Sequence, residues 1–366
     1  MSSESDSIER EVFVLGAGFT RAFLPDSPLM VDDYDAATLA ENFNNFPLAS
    51  RILDRERSRD SQGHINIERL LTRLDGGMPY DQGQGAFEEL GLLTSEVKLA
   101  FLGKIKQARD GEYYATEMAK FAEHCLRQNI NCITFNYDDI LDEALWKFRA
   151  DERAQSPSWH PDDGYGFYCA PSILNVANIS QAAGNFHSSI LYLKLHGSIN
   201  WYSKLGHTQP YFANAIAHHE PWSPYASEQK LLGIQNETLD RHLEPEPFIV
   251  PPVLMKSVIV EEPILRLIWN RAFRALQEAE KVTFIGYSFP LTDIAVRTLF
   301  EEALHDLPRY HLHIVNLEAT ASKQAQIRQT YKTQFDRESE TPESKIPESN
   351  FFFSGALEWS RTLSTS

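Results

Sequence analysis

The chain of 366 residues has only three cysteines, Cys125, Cys132 and Cys169, and no two of them form a Cys-x-x-Cys pair. That spacing argues against a disulfide framework and against a four-cysteine zinc module. His218 and His219 are adjacent and no His-Glu-x-x-His occurs, so no metal site, and no zinc, is expected. The Gly-x-Ser-x-Gly turn of a serine hydrolase is missing as well. Basic residues are scarce relative to acidic ones. The net charge of −17 repels phosphate backbones, and no direct nucleic-acid binding is expected. No apolar run approaches the roughly 20 residues of a membrane span. The opening MSSESDSIER is polar and acidic, unlike a signal peptide, so the chain reads as cytoplasmic with no membrane attachment.

What remains is an ordinary globular composition, 42% hydrophobic and 23% charged. Apolar runs of strand length alternate with helical patterns. EVFVL precedes Gly16-Ala17-Gly18, NCITF precedes NYDD and an amphipathic helix, SSILYLKL precedes His196, KVTFI precedes GYSFPLTD, and HLHIV precedes Asn316. Strands alternating with helices predict an α/β fold, a Rossmann-like, mostly parallel sheet with helices on both faces. We read residues 1–366 as a single domain. Residues 64–130 form a helical insertion of about three helices, and 332–350 a polar, flexible segment. The stretches 151–185 and 203–247, rich in Pro, Gly, Asn and Ser, read as irregular.

The turns at the strand exits hold the candidate chemistry. Glycines at 16 and 18 let a backbone approach a pyrophosphate, with open N–H groups at the helix start to bind its charge; a tight strand-to-helix turn uses the same residues. Asn136 carries an amide able to donate to and accept from ribose hydroxyls or water, whereas Asp138 and Asp139 also suit helix caps or first-turn acids. His196 ends an alternating run with Leu191, Leu193 and Leu195 on one face and Tyr192, Lys194 and His196 on the other. It fits a packed strand-end histidine, and it fits a base working near neutral pH beside a small Gly-Ser turn. Gly286 and Ser288 offer close approach and a hydroxyl, Thr292 or Asp293 a helix cap, and Asn316 a residue able to reach a nucleotide's ribose.

Taken in order, GAGFT, TFNYDDIL, LKLHGSINW, IGYSFPLTD and IVNLE resemble the sirtuin superfamily, specifically its branch of NAD-degrading bacterial anti-phage defence proteins. The resemblance spans roughly residues 11 to 320. It implies NAD+ as substrate, with Gly16, Ala17, Gly18 and Thr20 around the phosphates, and Asn136 and Asp138 matching Asn-x-Asp. His196 matches the His-Gly histidine, Gly286 and Ser288 the Gly-x-Ser turn, and Asn316 the asparagine near the adenosine ribose. It implies Asn136 and His196 as the catalytic pair of an NAD+ hydrolase that releases nicotinamide and ADP-ribose. It further implies a homo-oligomer and a partner such as a HerA-type ATPase. Two alternatives stand beside this reading: an NAD-dependent deacylase or ADP-ribosyltransferase, and a non-catalytic module sensing NAD or ADP-ribose. The chain departs from protein-deacylating sirtuins in lacking their two cysteine pairs and in placing Phe135 where they carry glutamine, which counts against acyl-lysine recognition.

Overall fold

Continuous apolar runs make strands buried on both faces, because successive side chains point to opposite sides of a sheet. Val12, Phe13, Val14 and Leu15 are all buried, so both faces of the first strand are covered. The computed structural model describes residues 10–28, 34–35, 42–59, 64–75, 80–81, 85–148, 158–167, 169, 188–203, 216–218, 246–250, 262–289, 293–339 and 341–363. Strand β1 (Glu11–Leu15) leads directly into α1 (Ala17–Phe23). The short strands β2 (Tyr34–Asp35) and β3 (His64–Ile65) flank α2 (Pro47–Arg57) and are followed by α3 (Ile67–Asp75), α4 (Ala86–Arg109) and α5 (Ala115–Arg127). Then come β4 (Asn131–Thr134), α6 (Ile140–Lys147), β5 (Tyr192–Lys194), β6 (Gly197–Ser203), β7 (Ile216–His218) and β8 (Glu246–Ile249). The chain finishes with α7 (Pro263–Gln277), β9 (Lys281–Ile285), α8 (Ile294–Ala303), β10 (Leu312–Val315), α9 (Ala321–Phe335), β11 (Phe351–Phe352) and α10 (Ala356–Leu363).

Six of these strands form one parallel sheet in the order β11-β10-β9-β1-β4-β5. The chain winds outward from β1 through β4 to β5, returns to the other side of β1, and winds outward again through β9, β10 and β11. That is the doubly wound, Rossmann-like order, and its reversal opens a crevice at the carboxyl ends of β1 and β9. The expected α/β architecture is therefore present. A three-stranded antiparallel sheet, β7-β6-β8, stands beside it. The sequence gives no sign of this second sheet: β7 and half of β8 come from the stretch read as irregular, most of which lies outside the described residues.

Among the described residues two apolar cores support the fold. The larger surrounds the parallel sheet and includes Met118, Phe121, Cys125 and Leu126 of α5. The smaller collects Phe43, Leu48, Ile52 and Leu53 with Leu70, Leu74, Leu93, Val97 and Phe101, and it extends to Tyr137, Ile199 and Ile249. Helices α3, α4 and α5 belong to two cores. The second core begins with residues ahead of 64, and α5 packs into the first. All three cysteines are buried.

The segment 332–350 departs from the flexible tether its polarity suggests. Residues 332–335 complete α9, Ile346 and Ser344 are buried, and two short 3-10 turns occupy Pro342–Ser344 and Glu348–Asn350. Ile346 N donates to Asp336 Oδ1 at 2.9 Å, and Arg309 Nε donates to Phe335 O at 2.6 Å. Its apolar anchors, Phe335 and Ile346, stand too far apart to form a pattern, and hydrogen bonds between side chains and backbone do the rest. Among the described residues no helix is long and apolar enough to cross a membrane.

Candidate functional site

The exits of β1 and β9 meet at their glycines. A Cβ on Gly16 would lie 2.5 Å from Gly286 O and from Tyr287 Cα, and one on Gly286 would lie 2.1 Å from Phe19 N. Gly286 also has φ +62°, in the left-handed region. The two turns are laced together: Gly16 N donates to Ile285 O and Gly18 N to Gly286 O, both at 2.9 Å, while Phe19 N donates back to Gly16 O. The N–H groups of Gly16 and Gly18 are thus taken up between the two turns, so Gly18 is not among the open N–H groups expected at the helix start. The glycines serve first to let two backbones touch. What faces outward is Ala17, Gly18 and Ser288, all exposed, with Gly286 half-buried between them. Ala17 holds the first helical position, where an N–H has no acceptor within the helix.

Behind this crevice a chain of hydrogen bonds fixes Asn136 at the exit of β4. Its amide nitrogen donates to Gly16 O at 2.7 Å and to Thr20 Oγ1 at 2.8 Å. Thr20 in turn donates to Asp138 Oδ2 at 2.5 Å. Both amide hydrogens of half-buried Asn136 are therefore engaged, and its Oδ1 is the group left to accept from a hydroxyl or a water. Thr20 does not reach toward a phosphate as the motif match implies: it and Asp138 are 4% and 5% exposed and hold Asn136 from within.

Below them lies a buried ionic cluster. Lys194, fully buried in β5, donates to Asp138 O at 2.5 Å and to Asp142 Oδ2 at 3.0 Å. Tyr165 donates to Asp142, Arg109 Nη1 to Asp139 Oδ1 at 2.8 Å, and Arg109 also to Glu143. Burial pushes Asp138, Asp139 and Asp142 above the usual carboxylate range, and the neighbouring Lys194 and Arg109 hold them back. The Arg109 pair ties α4 to the turn that carries Asn136.

His196 stands where the two cores meet. Its ring lies against the edge of Phe135, centroids 5.3 Å apart, and is stacked on Tyr137 at 6.1 Å. Phe135 belongs to the first core and Tyr137 to the second. Its carbonyl accepts from Val250 N at 2.8 Å, and Gly197, at φ +80°, passes so close to β8 that a Cβ would lie 2.0 Å from Phe248 O. The Gly-Ser pair thus fastens the second sheet: Ser198 is fully buried and donates to Asn200 Oδ1 at 2.5 Å. Trp201 packs edge-on against Tyr165 and Phe167, as expected of a core residue. His196 Nε2 also lies 3.7 Å from Asp293 Oδ2, a neighbour the sequence does not suggest, since Asp293 reads as the cap of α8 alone.

Asn316 leaves β10 half-buried, its amide 3.5 Å from Tyr287 O, and Tyr331 of α9 donates to the same carbonyl at 2.8 Å. These two contacts pin the turn after β9, where Phe289 sits at φ +53°, a strained conformation for a bulky residue. Tyr331→Phe keeps the ring and loses the donor. It is expected to lower stability by about 1–2 kcal/mol, read as a lower midpoint at unchanged slope in urea unfolding.

The sequence-derived residues therefore divide. Gly16, Ala17, Gly18, Asn136, Gly286, Ser288 and Asn316 gather at the carboxyl edge of β1, β4, β9 and β10, His196 lies beneath the edge at the exit of β5, and Thr20 and Asp138 brace it from inside. Lys194, Asp142 and Asp293 were not anticipated. A lysine inside an otherwise apolar strand was the available signal for the first two. Among the described residues no group of three or more His, Cys, Asp or Glu side chains is placed to hold a metal ion.

No family model matches the chain, and no curated protein matches it. Similar solved structures include the crystal structure of a Sir2 homologue–NAD complex, 12% identical, covering 97% of this chain and 87% of that one with a TM-score of 0.36. Another, described under the structural basis of sirtuin substrate affinity, is 12% identical over 96% of this chain and 92% of that one, TM-score 0.38. A third, on the mechanism and regulation of Sir2 enzymes, is 12% identical over 97% and 91%, TM-score 0.36. The superposition is loose, and the fold assignment rests on the strand order.

Proposed function

We propose that this chain is an NAD+ glycohydrolase that cleaves the nicotinamide–ribose bond to give nicotinamide and ADP-ribose. The observation that carries the reading is the gathering of two glycine turns, Asn136, Ser288 and Asn316 at the switch point of a doubly wound sheet, with His196 at the next strand exit. A switch-point crevice is where such sheets bind nucleotides. The pyrophosphate would lie along Ala17, Gly18 and Ser288, and the adenosine ribose toward Asn316.

Cleavage of an N-glycosyl bond builds positive charge at the ribose C1′, so positioning and electrostatics count for more than a strong nucleophile. Asn136 Oδ1 would accept from a ribose hydroxyl or from the attacking water. His196 would take a proton from that water or hydroxyl as nicotinamide leaves with the bonding electrons. His196 is 2% exposed, which fits an enzyme whose base stays covered until it is activated. The ordered motifs' resemblance to NAD-degrading defence proteins supports an NAD-depleting antiviral effector, working as a homo-oligomer with a HerA-type ATPase or another defence partner.

The test is a chromatographic time course of NAD+ with the purified chain, without and with an acylated peptide. Nicotinamide and ADP-ribose rising together, independent of peptide, is the expected result. Nicotinamide release that requires the peptide would move the assignment to a deacylase. NAD+ recovered intact with and without the peptide would leave a sensing module.

A further inference from the structure

We propose that Asp293 is the positioning residue for His196, holding the imidazole with its proton on Nε2 so that Nδ1 is the basic nitrogen. This rests on the reading of His196 as the base. Asp293 is the cap residue of α8, and its Oδ1 accepts from Val296 N at 3.2 Å. Its Oδ2 lies 3.7 Å from His196 Nε2, with both side chains nearly sealed from solvent at 3% and 5% exposure. The separation exceeds a hydrogen bond and lies within ion-pair range. Catalytic contacts of this kind are often long in a resting enzyme and tighten when substrate binds. An acceptor on one ring nitrogen sets the tautomer and thereby decides which nitrogen can take a proton.

The same corner holds a second polar group that the fold does not use. The buried Tyr287 hydroxyl has no hydrogen-bond partner among the described residues. Its ring packs on Phe135 with centroids 5.1 Å apart, and Phe135 meets His196 edge-on. Burial, and after it the Asp293 carboxylate, pushes the Tyr287 hydroxyl well above its ordinary value, which places that carboxylate's field in the same corner. Two roles therefore meet in Asp293. Capping α8 needs only an oxygen acceptor, while orienting His196 needs an acceptor on the second oxygen too.

Asp293→Asn separates them. Asparagine caps a helix as well as aspartate does, so its Oδ1 still accepts from Val296 N. Its Nδ2 then faces His196 and donates, which demands a bare Nε2 and moves the proton to Nδ1. The primary measurement is the 15N spectrum of [15N]histidine-labelled full-length protein at about pH 8, above the ordinary imidazole pKa of about 6.5. The His196 resonances are assigned by their loss in His196→Gln. The expected result is Nε2–H in the parent and Nδ1–H in Asp293→Asn, with an unchanged melting temperature. In NAD+ turnover kcat falls about tenfold to a hundredfold while KM holds. Asp293→Ala loses melting temperature as well, because the cap is gone. An identical His196 tautomer in the parent and in Asp293→Asn overturns the proposal. If the parent hydrolyses no NAD+, the assignment of function falls, and the tautomer measurement still decides the pairing.

Discussion

His196→Gln is expected to lower NAD+ hydrolysis by about 10³-fold, roughly 4 kcal/mol of transition-state stabilisation, while leaving a folded protein. Glutamine nearly preserves the volume between Phe135 and Tyr137, whose rings hold the imidazole on two sides, so the cavity cost that alanine would add is largely avoided. It cannot take a proton at neutral pH. Asn136→Ala is expected to remove a similar share of turnover, and it costs stability too. It deletes the donors to Gly16 O and Thr20 Oγ1 and so loosens the β1 turn. The two variants are told apart by combining nicotinamide release with thermal unfolding. His196→Gln should lose turnover out of proportion to any change in melting temperature, and Asn136→Ala should lose both. Turnover of His196→Gln within tenfold of the parent would remove His196 from the mechanism.

What could be read from the sequence was the strand-to-helix grammar. Strong β-formers in short apolar runs, each broken by Gly, Asn or Asp, identify β1, β4 and β9 and the residues at their exits, because strand length and turn chemistry are local properties. The roles of those residues were less legible, since a role depends on what packs across the turn. Gly16 and Gly286 look alike whether a phosphate or a second backbone approaches them, and here a second backbone does. Thr20 follows a glycine turn as a phosphate-binding hydroxyl would, yet its donor is turned toward Asp138, 118 positions later in the chain. Asp293 is locally a cap, and only the tertiary fold brings it to His196 at the exit of β5. The antiparallel sheet of β6, β7 and β8 was invisible for the same reason. Its register is set by pairing across the chain, Trp201 with His218 and Tyr202 with Pro247, and prolines in its neighbourhood masked the short strands.

Lys194→Met should be among the most destabilising single substitutions in the chain, costing about 3–5 kcal/mol. The ammonium is fully buried and lies against Asp142, which is fully buried too. Removing one member of such a pair leaves the other charge without compensation, and that penalty exceeds what the intact pair contributes. Methionine fills most of the lysine stem's volume, so the loss reports on charge and on the donor to Asp138 O rather than on a cavity. Adding Asp142→Asn removes the stranded charge while its carbonyl oxygen still accepts from Tyr165. The double variant should recover a substantial part of the deficit, a coupling of about 1–3 kcal/mol in a double-mutant cycle. The pH dependence has a definite sign. Burial already raises the Asp142 carboxyl, and loss of Lys194, which holds it down, raises it further. A carboxyl raised in the folded state favours folding below its unfolded pKa of about 3.9, and that contribution disappears as pH climbs through the raised value. The gap in urea midpoint between parent and Lys194→Met should therefore narrow as pH falls below neutral. A gap independent of pH, or a double variant no better than the single, would mean that Lys194 supports the strand by packing alone. If the pairing holds, the ionic cluster fixes the β4 exit from beneath, through Asp138 and Thr20, and so sets the direction in which Asn136 presents its free oxygen.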